Sequence, residues 1–135
     1  MALIAQTSLA RATPDILITG VEADASVAVG DWVRIDALEV AQRALADTAF
    51  NANVFGLVED KSGTKVTIRV SGVSKAMFSG LDTTKEYLLS STTPGGMNEE
   101  GVSVPSAPGN CVVVLGKPMT ATRFLVRIGP RMVRS

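Results

Sequence analysis

The sequence predicts an all-β fold, a β-sandwich or small barrel preceded by an extended N-terminal arm. Three observations carry that expectation. Apolar and polar residues alternate with period two over several runs, the signature of half-buried strands. β-Branched residues crowd those runs. Turn chemistry interrupts them about every ten residues, the spacing of sandwiches and barrels.

Residues 1–14 carry no charge before Arg11 and end at Pro14, which reads as an extended arm. Ala10-Arg11-Ala12 has the form of a signal-peptidase site, but no positive charge follows Met1, and Gln6 and Thr7 interrupt the apolar stretch. Those features argue against a secretory leader. From there to residue 129 the chain is expected to form one domain, a fitting size for 135 residues in all. Val27, Val29, Val33 and Ile35 share one face of the first alternating run, opposed by Trp32, Arg34 and Asp36. Residues 38–50 leave two readings open. Leu38, Ala41, Leu45 and Ala49 recur at helical spacing, while a strand running into a loop at Asp47–Asn53 fits equally well.

The cleanest alternation is Thr64 to Ser71, with Val66, Ile68 and Val70 on the core face and Lys65, Thr67, Arg69 and Ser71 opposite. Glu59-Asp60-Lys61-Ser62-Gly63 joins it to Val54–Val58 as a hairpin, with Gly63 free to adopt positive φ. Thr93-Pro94-Gly95-Gly96 and Pro105-Ser106-Ala107-Pro108-Gly109 are strong breakers. Lys117-Pro118-Met119-Thr120 links Cys111–Gly116 to a last strand, in which Phe124, Val126 and Ile128 alternate with Arg123 and Arg127. The sheet is expected to end near Ile128, leaving residues 130–135 as a basic C-terminal tail.

Catalytic apparatus is hard to assemble from these residues. The chain has no histidine, which removes Ser-His and Cys-His nucleophile systems and the usual nitrogen ligand of zinc. Cys111 opens an apolar strand, the setting of a small buried hydrophobe. The paired acids Glu22 with Asp24, Glu59 with Asp60, and Glu99 with Glu100 sit at or near predicted turns and read as solvated carboxylates. No calcium loop, dinucleotide fingerprint or phosphate loop occurs. The expectation is a protein that is not an enzyme and uses neither metal nor cofactor.

Composition points instead to contact with other protein chains. Hydrophobic residues make up 46% and charged residues only 19%, an apolar surplus for a small domain. No run approaches the roughly 18 apolar residues of a membrane helix, so no membrane partner is expected. The net charge is zero, and basic residues are not interleaved with aromatics, which argues against nucleic acid. Charge is nevertheless uneven. No acidic residue follows Glu100, whereas Lys117, Arg123, Arg127, Arg131 and Arg134 all do. They read either as a solvated strand face with its tail or as a docking patch for an acidic protein surface, to which guanidinium forks are suited. Leu3 and Ile4 of the apolar arm, and Trp32 on the polar side of its strand, complete the interface candidates.

One series of elements has a familiar order: Val29-Gly30-Asp31-Trp32-Val33-Arg34-Ile35-Asp36, Arg43-Ala44-Leu45-Ala46-Asp47, Ala52-Asn53-Val54-Phe55-Gly56-Leu57-Val58, and Val70-Ser71-Gly72-Val73. Gly80-Leu81, Glu86-Tyr87-Leu88-Leu89-Ser90, Thr93-Pro94-Gly95-Gly96-Met97 and Val112-Val113-Val114-Leu115-Gly116-Lys117-Pro118 follow. The series, over residues 26–128, resembles the capsid cement or decoration proteins of short-tailed Bordetella-type phages; related modules occur in tail fibres. The resemblance implies a jelly-roll-like domain and a homo-oligomer, a homodimer before a trimer. It also implies a structural virion protein, made in the host bacterial cytoplasm, that sits on the capsid exterior and cements neighbouring major capsid proteins. A tail-fibre or receptor-binding module is the alternative it leaves.

Overall fold

A computed structural model describes residues 13–101 and 104–134. The protein is all-β, and its antiparallel sheet curls into a half-barrel, consistent with a β-sandwich or small barrel. In chain order the strands are β1 (Ile16–Glu22), β2 (Trp32–Ile35), β3 (Ala41–Arg43), β4 (Gly56–Ser62), β5 (Lys65–Val73), β6 (Tyr87–Leu89), β7 (Met97–Glu99), β8 (Cys111–Val112), β9 (Val114–Pro118), β10 (Phe124–Val126) and β11 (Met132–Val133). The main sheet runs β3-β2-β4-β5-β10-β9-β6-β7, with β1 also paired to β5, and β8 and β11 form a separate ladder.

Local chemistry accounts for the hairpins. β4 and β5 pair from Leu57↔Arg69 to Ser62↔Lys65, so the predicted hairpin turns tightly through Gly63 and Thr64. Gly63 takes φ 62°, a conformation that costs a residue without Cβ little. Residues 38–50 resolve as strand plus loop: β3 pairs with β2, and turns follow it. The β2–β3 turn is organised by Asp36, whose carboxylate accepts from the Leu38 and Val40 N–H groups at 2.9 and 3.0 Å. That local capture, rather than helix formation, satisfies the backbone there.

The core has two parts, separated by the pleat of β2 and β4. Trp32 and Leu57 point into one cluster with Tyr87, Leu89, Leu115 and Phe124. Val33 and Val58 point the other way, into a cluster with Val27, Ala41, Val66 and Ile68. The second cluster sits inside the curl, where the chain after β1 returns to β3: Ala23 bridges Ala41, and the Asp24 N–H donates to the Ala41 carbonyl at 2.9 Å. Phe124 centres the first cluster, with the Trp32 ring edge-on at 5.4 Å, Tyr87 at 5.9 Å and Phe78 tilted at 6.2 Å. Such contacts contribute about 0.5–1.5 kcal/mol each beyond area burial.

The structure corrects three expectations. Trp32 is fully buried, so it is a core residue and no interface residue. Its alternation with Val33 separates two cores, where a one-sided sheet would separate core from solvent. Val29, expected on the core face, is exposed, because Gly30 at φ 96° turns the chain before β2 begins. Glu59 is buried where a solvated turn carboxylate is expected. The register shift between Val58 and Asp60 makes it a bulge residue, aimed at the Arg69 Nε at 3.2 Å and the Lys75 N–H at 2.9 Å.

β1 and β11 also lie outside the alternating runs. In β1 the apolar residues Ile16, Leu17 and Ile18 are consecutive, and Asp15, just before the strand, makes an ion pair with Arg69. β11 places Met132 and Val133 against Val112 and Cys111, so the sheet structure continues past Ile128.

Candidate protein-docking surfaces

The basic residues of the last third divide among separate places. In the β9–β10 ladder Lys117 faces Leu125 and Gly116 faces Val126. The pleat therefore puts Lys117, Leu125, Arg123 and Arg127 on one side of the ladder, while Phe124 and Val126 enter the first core cluster on the other. Lys117 and Arg127 line an open groove of about 950 Å³. Val70, Val112, Val114 and Met132 are among its apolar lining residues, and Glu86 lies along it as a single carboxylate. Thr13 and Pro14 also line it.

Gly116 keeps the groove's strands close. Its φ is 144°, and a Cβ built there would meet the Leu125 carbonyl oxygen at 2.0 Å. Any larger residue must push β9 and β10 apart. Arg123 sits at the hairpin tip, exposed and outside the groove lining, where the Thr120 hydroxyl accepts from its N–H at 3.1 Å.

Arg131 and Arg134 are drawn elsewhere by β11. Arg134 donates from Nε to the Pro105 carbonyl at 3.0 Å, which ties the tail to the loop before β8. Arg131 donates to the Ala49 carbonyl and lines a second cavity, of about 110 Å³, with Arg34 and Phe50. Of the interface candidates, Lys117 and Arg127 come together, Arg123 shares their ladder face, and Arg131 and Arg134 leave it. Leu3 and Ile4 fall outside the described residues.

Comparison with family models, with curated proteins and with solved structures finds no match.

Two exposed apolar features lie outside the alternating pattern. Ile16, Leu17 and Ile18 of β1 are 41%, 44% and 38% exposed, and among the described residues no strand pairs with the outer edge of β1. Phe50 is 70% exposed in the loop after β3. The consecutive Ile-Leu-Ile run was a legible signal, since apolar residues on both faces of a short strand require cover on both sides. Phe50 offered none beyond being an aromatic inside a loop. Among the described residues no group of three or more His, Cys, Asp and Glu gathers, and no helix is long and apolar enough to cross a membrane.

Proposed function

We propose that the protein is a non-catalytic structural component of a phage virion that binds the outside of the capsid and cements neighbouring major capsid proteins. The observation that supports this most is the groove beside β9 and β10: a long apolar floor with the Lys117 and Arg127 side chains beside it, neither making an ion pair among the described residues. An apolar channel flanked by free cations suits an extended segment of a protein partner that carries a carboxylate. The resemblance of residues 26–128 to cement proteins supplies the partner, the major capsid protein, and the location, the capsid exterior. Self-association as a homodimer belongs to the same reading, with the exposed apolar edge of β1 as the surface that supports it.

Apolar contact in the groove provides most of the affinity on this reading, because exposed ion pairs contribute only about 0–1 kcal/mol each. The paired charges set orientation. Binding of the purified chain to undecorated shells tests this, together with its copy number in virions. Attachment in proportion to the major capsid protein, weakened by the double reversal Lys117→Glu with Arg127→Glu, is the expected result. Copy numbers at the level of a fibre would move the chain to the tail. Attachment indifferent to the double reversal would remove the groove from the contact.

A further inference from the structure

The cavity between the β2–β3 turn and the loop after β3 has the chemistry of a second, distinct contact. Arg34 projects from β2 so that its guanidinium carbon lies 4.8 Å from the centre of the Phe50 ring. Among the described residues its Nε is covered by protein without a hydrogen-bond partner, and no carboxylate comes within ion-pair distance of Arg34 or Arg131. Arg131 is steadied by its bond to the Ala49 carbonyl, which brings its guanidinium to the same cavity. The nearest acid, Asp36, also lines the cavity, but its oxygens already accept from Leu38, Val40 and Gln42. Those bonds hold its carboxyl below the ordinary value, with the Val40 N–H the largest cause, Gln42 next and the Arg34 charge a smaller one, so it stays charged and engaged chiefly by its own turn. Two guanidiniums therefore face one engaged carboxylate, and the site carries a positive surplus.

Apolar surface frames this charge. Phe50 is 70% exposed beneath Arg34, and Leu38, in the β2–β3 turn next to Ala37 of the cavity wall, is 83% exposed. Arginine beside an exposed aromatic is the composition of interface centres. The cavity volume, about 110 Å³, is below the roughly 300–1,000 Å³ of small-molecule sites and accepts the end of a single side chain. We infer that Arg34, Arg131 and Phe50 form a docking site for an acidic protein segment, whose Asp or Glu carboxylate enters between the two guanidiniums while flanking apolar residues cover Phe50 and Leu38. This deepens the reading of the protein as one that docks on other chains and does not depend on which shell it decorates.

The test uses the full chain and a defined probe, the peptide acetyl-Leu-Glu-Asp-Leu-amide, with acetyl-Leu-Gln-Asn-Leu-amide as its uncharged counterpart. Nuclear magnetic resonance follows the Arg34 Nε–H and the Phe50 ring during titration. The acidic peptide is expected to produce saturable shifts at both, and the amide peptide none. Arg34→Gln and Arg131→Gln should each weaken binding about tenfold, as loss of a charge-assisted hydrogen bond does. Arg123→Gln should leave it unchanged. Arg131 is exposed, so its variant reads binding even if Arg34→Gln perturbs folding. Shifts spread evenly over Lys117, Arg123 and Arg127, equal response to the amide peptide, or full affinity in Arg131→Gln would each overturn the inference. Shell attachment that survives alongside such a failure would leave the proposed function standing, and peptide binding at this site without shell attachment would do the reverse.

Discussion

Ile68 and Thr67 are neighbours on β5 with opposite fates, the one fully buried in the second core cluster and the other only half-buried. Ile68→Ala is expected to cost about 2–5 kcal/mol in a denaturant titration, and Thr67→Ala well under that. Arg69, the next residue, obeys the alternation yet is also largely buried, because Glu59 and Asp15 meet its charge. Burial favours loss of its proton and lowers its pKa below the usual arginine value. Glu59→Ala removes the buried partner and leaves the cation with the exposed Asp15 alone, so a loss of about 1–3 kcal/mol is expected. A smaller loss for Arg69→Met than for Glu59→Ala in the same titration would show that the half-paired cation, rather than the missing contact, carries the cost. The alternation in this strand was legible in the sequence. The ion pair was not, since nothing in Glu59-Asp60 distinguishes a bulged, inward acid from a solvated turn.

At the scale of the element, β11 is the informative case. Its two residues are too few to register as an alternating run, and only their pairing with β8 makes them a strand. The Arg134 N–H donates to the Asn110 carbonyl at 2.7 Å, and the Gly109 N–H donates to the Arg134 carbonyl at 2.8 Å, so β11 closes the loop before β8. Removing Arg131–Ser135 is expected to leave the main sheet folded, since none of its ladders includes β11. The Gly109 amide should then lose its protection from hydrogen exchange, while the Ile68 amide keeps its own. Loss of protection at both would mean that the tail supports the whole sheet. β9 and β10 make a complementary point. Gly116→Ala is expected to destabilise the fold by about 2 kcal/mol or more, through positive φ and the clash with the Leu125 carbonyl. Unchanged stability in a thermal melt would show that the two strands separate without cost.

Over the whole molecule, the turns respond together to acid. Asp24, Asp36 and Asp82 all have pKa values lowered below 3.8 by hydrogen bonds from their own turns, Ser26, Val40 and Thr84 being the first partners. A lowered folded-state pKa adds stability above the unfolded value, and that stability is lost as pH falls through the folded value. The unfolding midpoint should therefore be flat from neutrality to about pH 5 and decline below about pH 4. Asp36→Asn should reduce the decline. A midpoint that rises on acidification would contradict the sign. The three residues are only partly buried, so the effect is a tuning of turns rather than the main support of the fold.

The sequence by itself determined that the chain is all-β, where most of its turns fall, and that Val66, Ile68, Phe124 and Val126 face inward. These follow from rules local to a few residues: side chains alternate along a strand, and Gly, Pro and Asp shape turns. Tertiary structure alone decided which outward-facing residues meet solvent. The curl of the sheet covers both faces of β2 and β4, so Trp32 and Leu57 lie as deep as Val33 and Val58. It also decided that Arg131 meets Arg34 and Phe50, nearly a hundred residues from the former, while Lys117 and Arg127 meet at a groove elsewhere. Period two reports that a strand has two sides. What covers each side depends on strands distant in the chain, and no local rule contains that information.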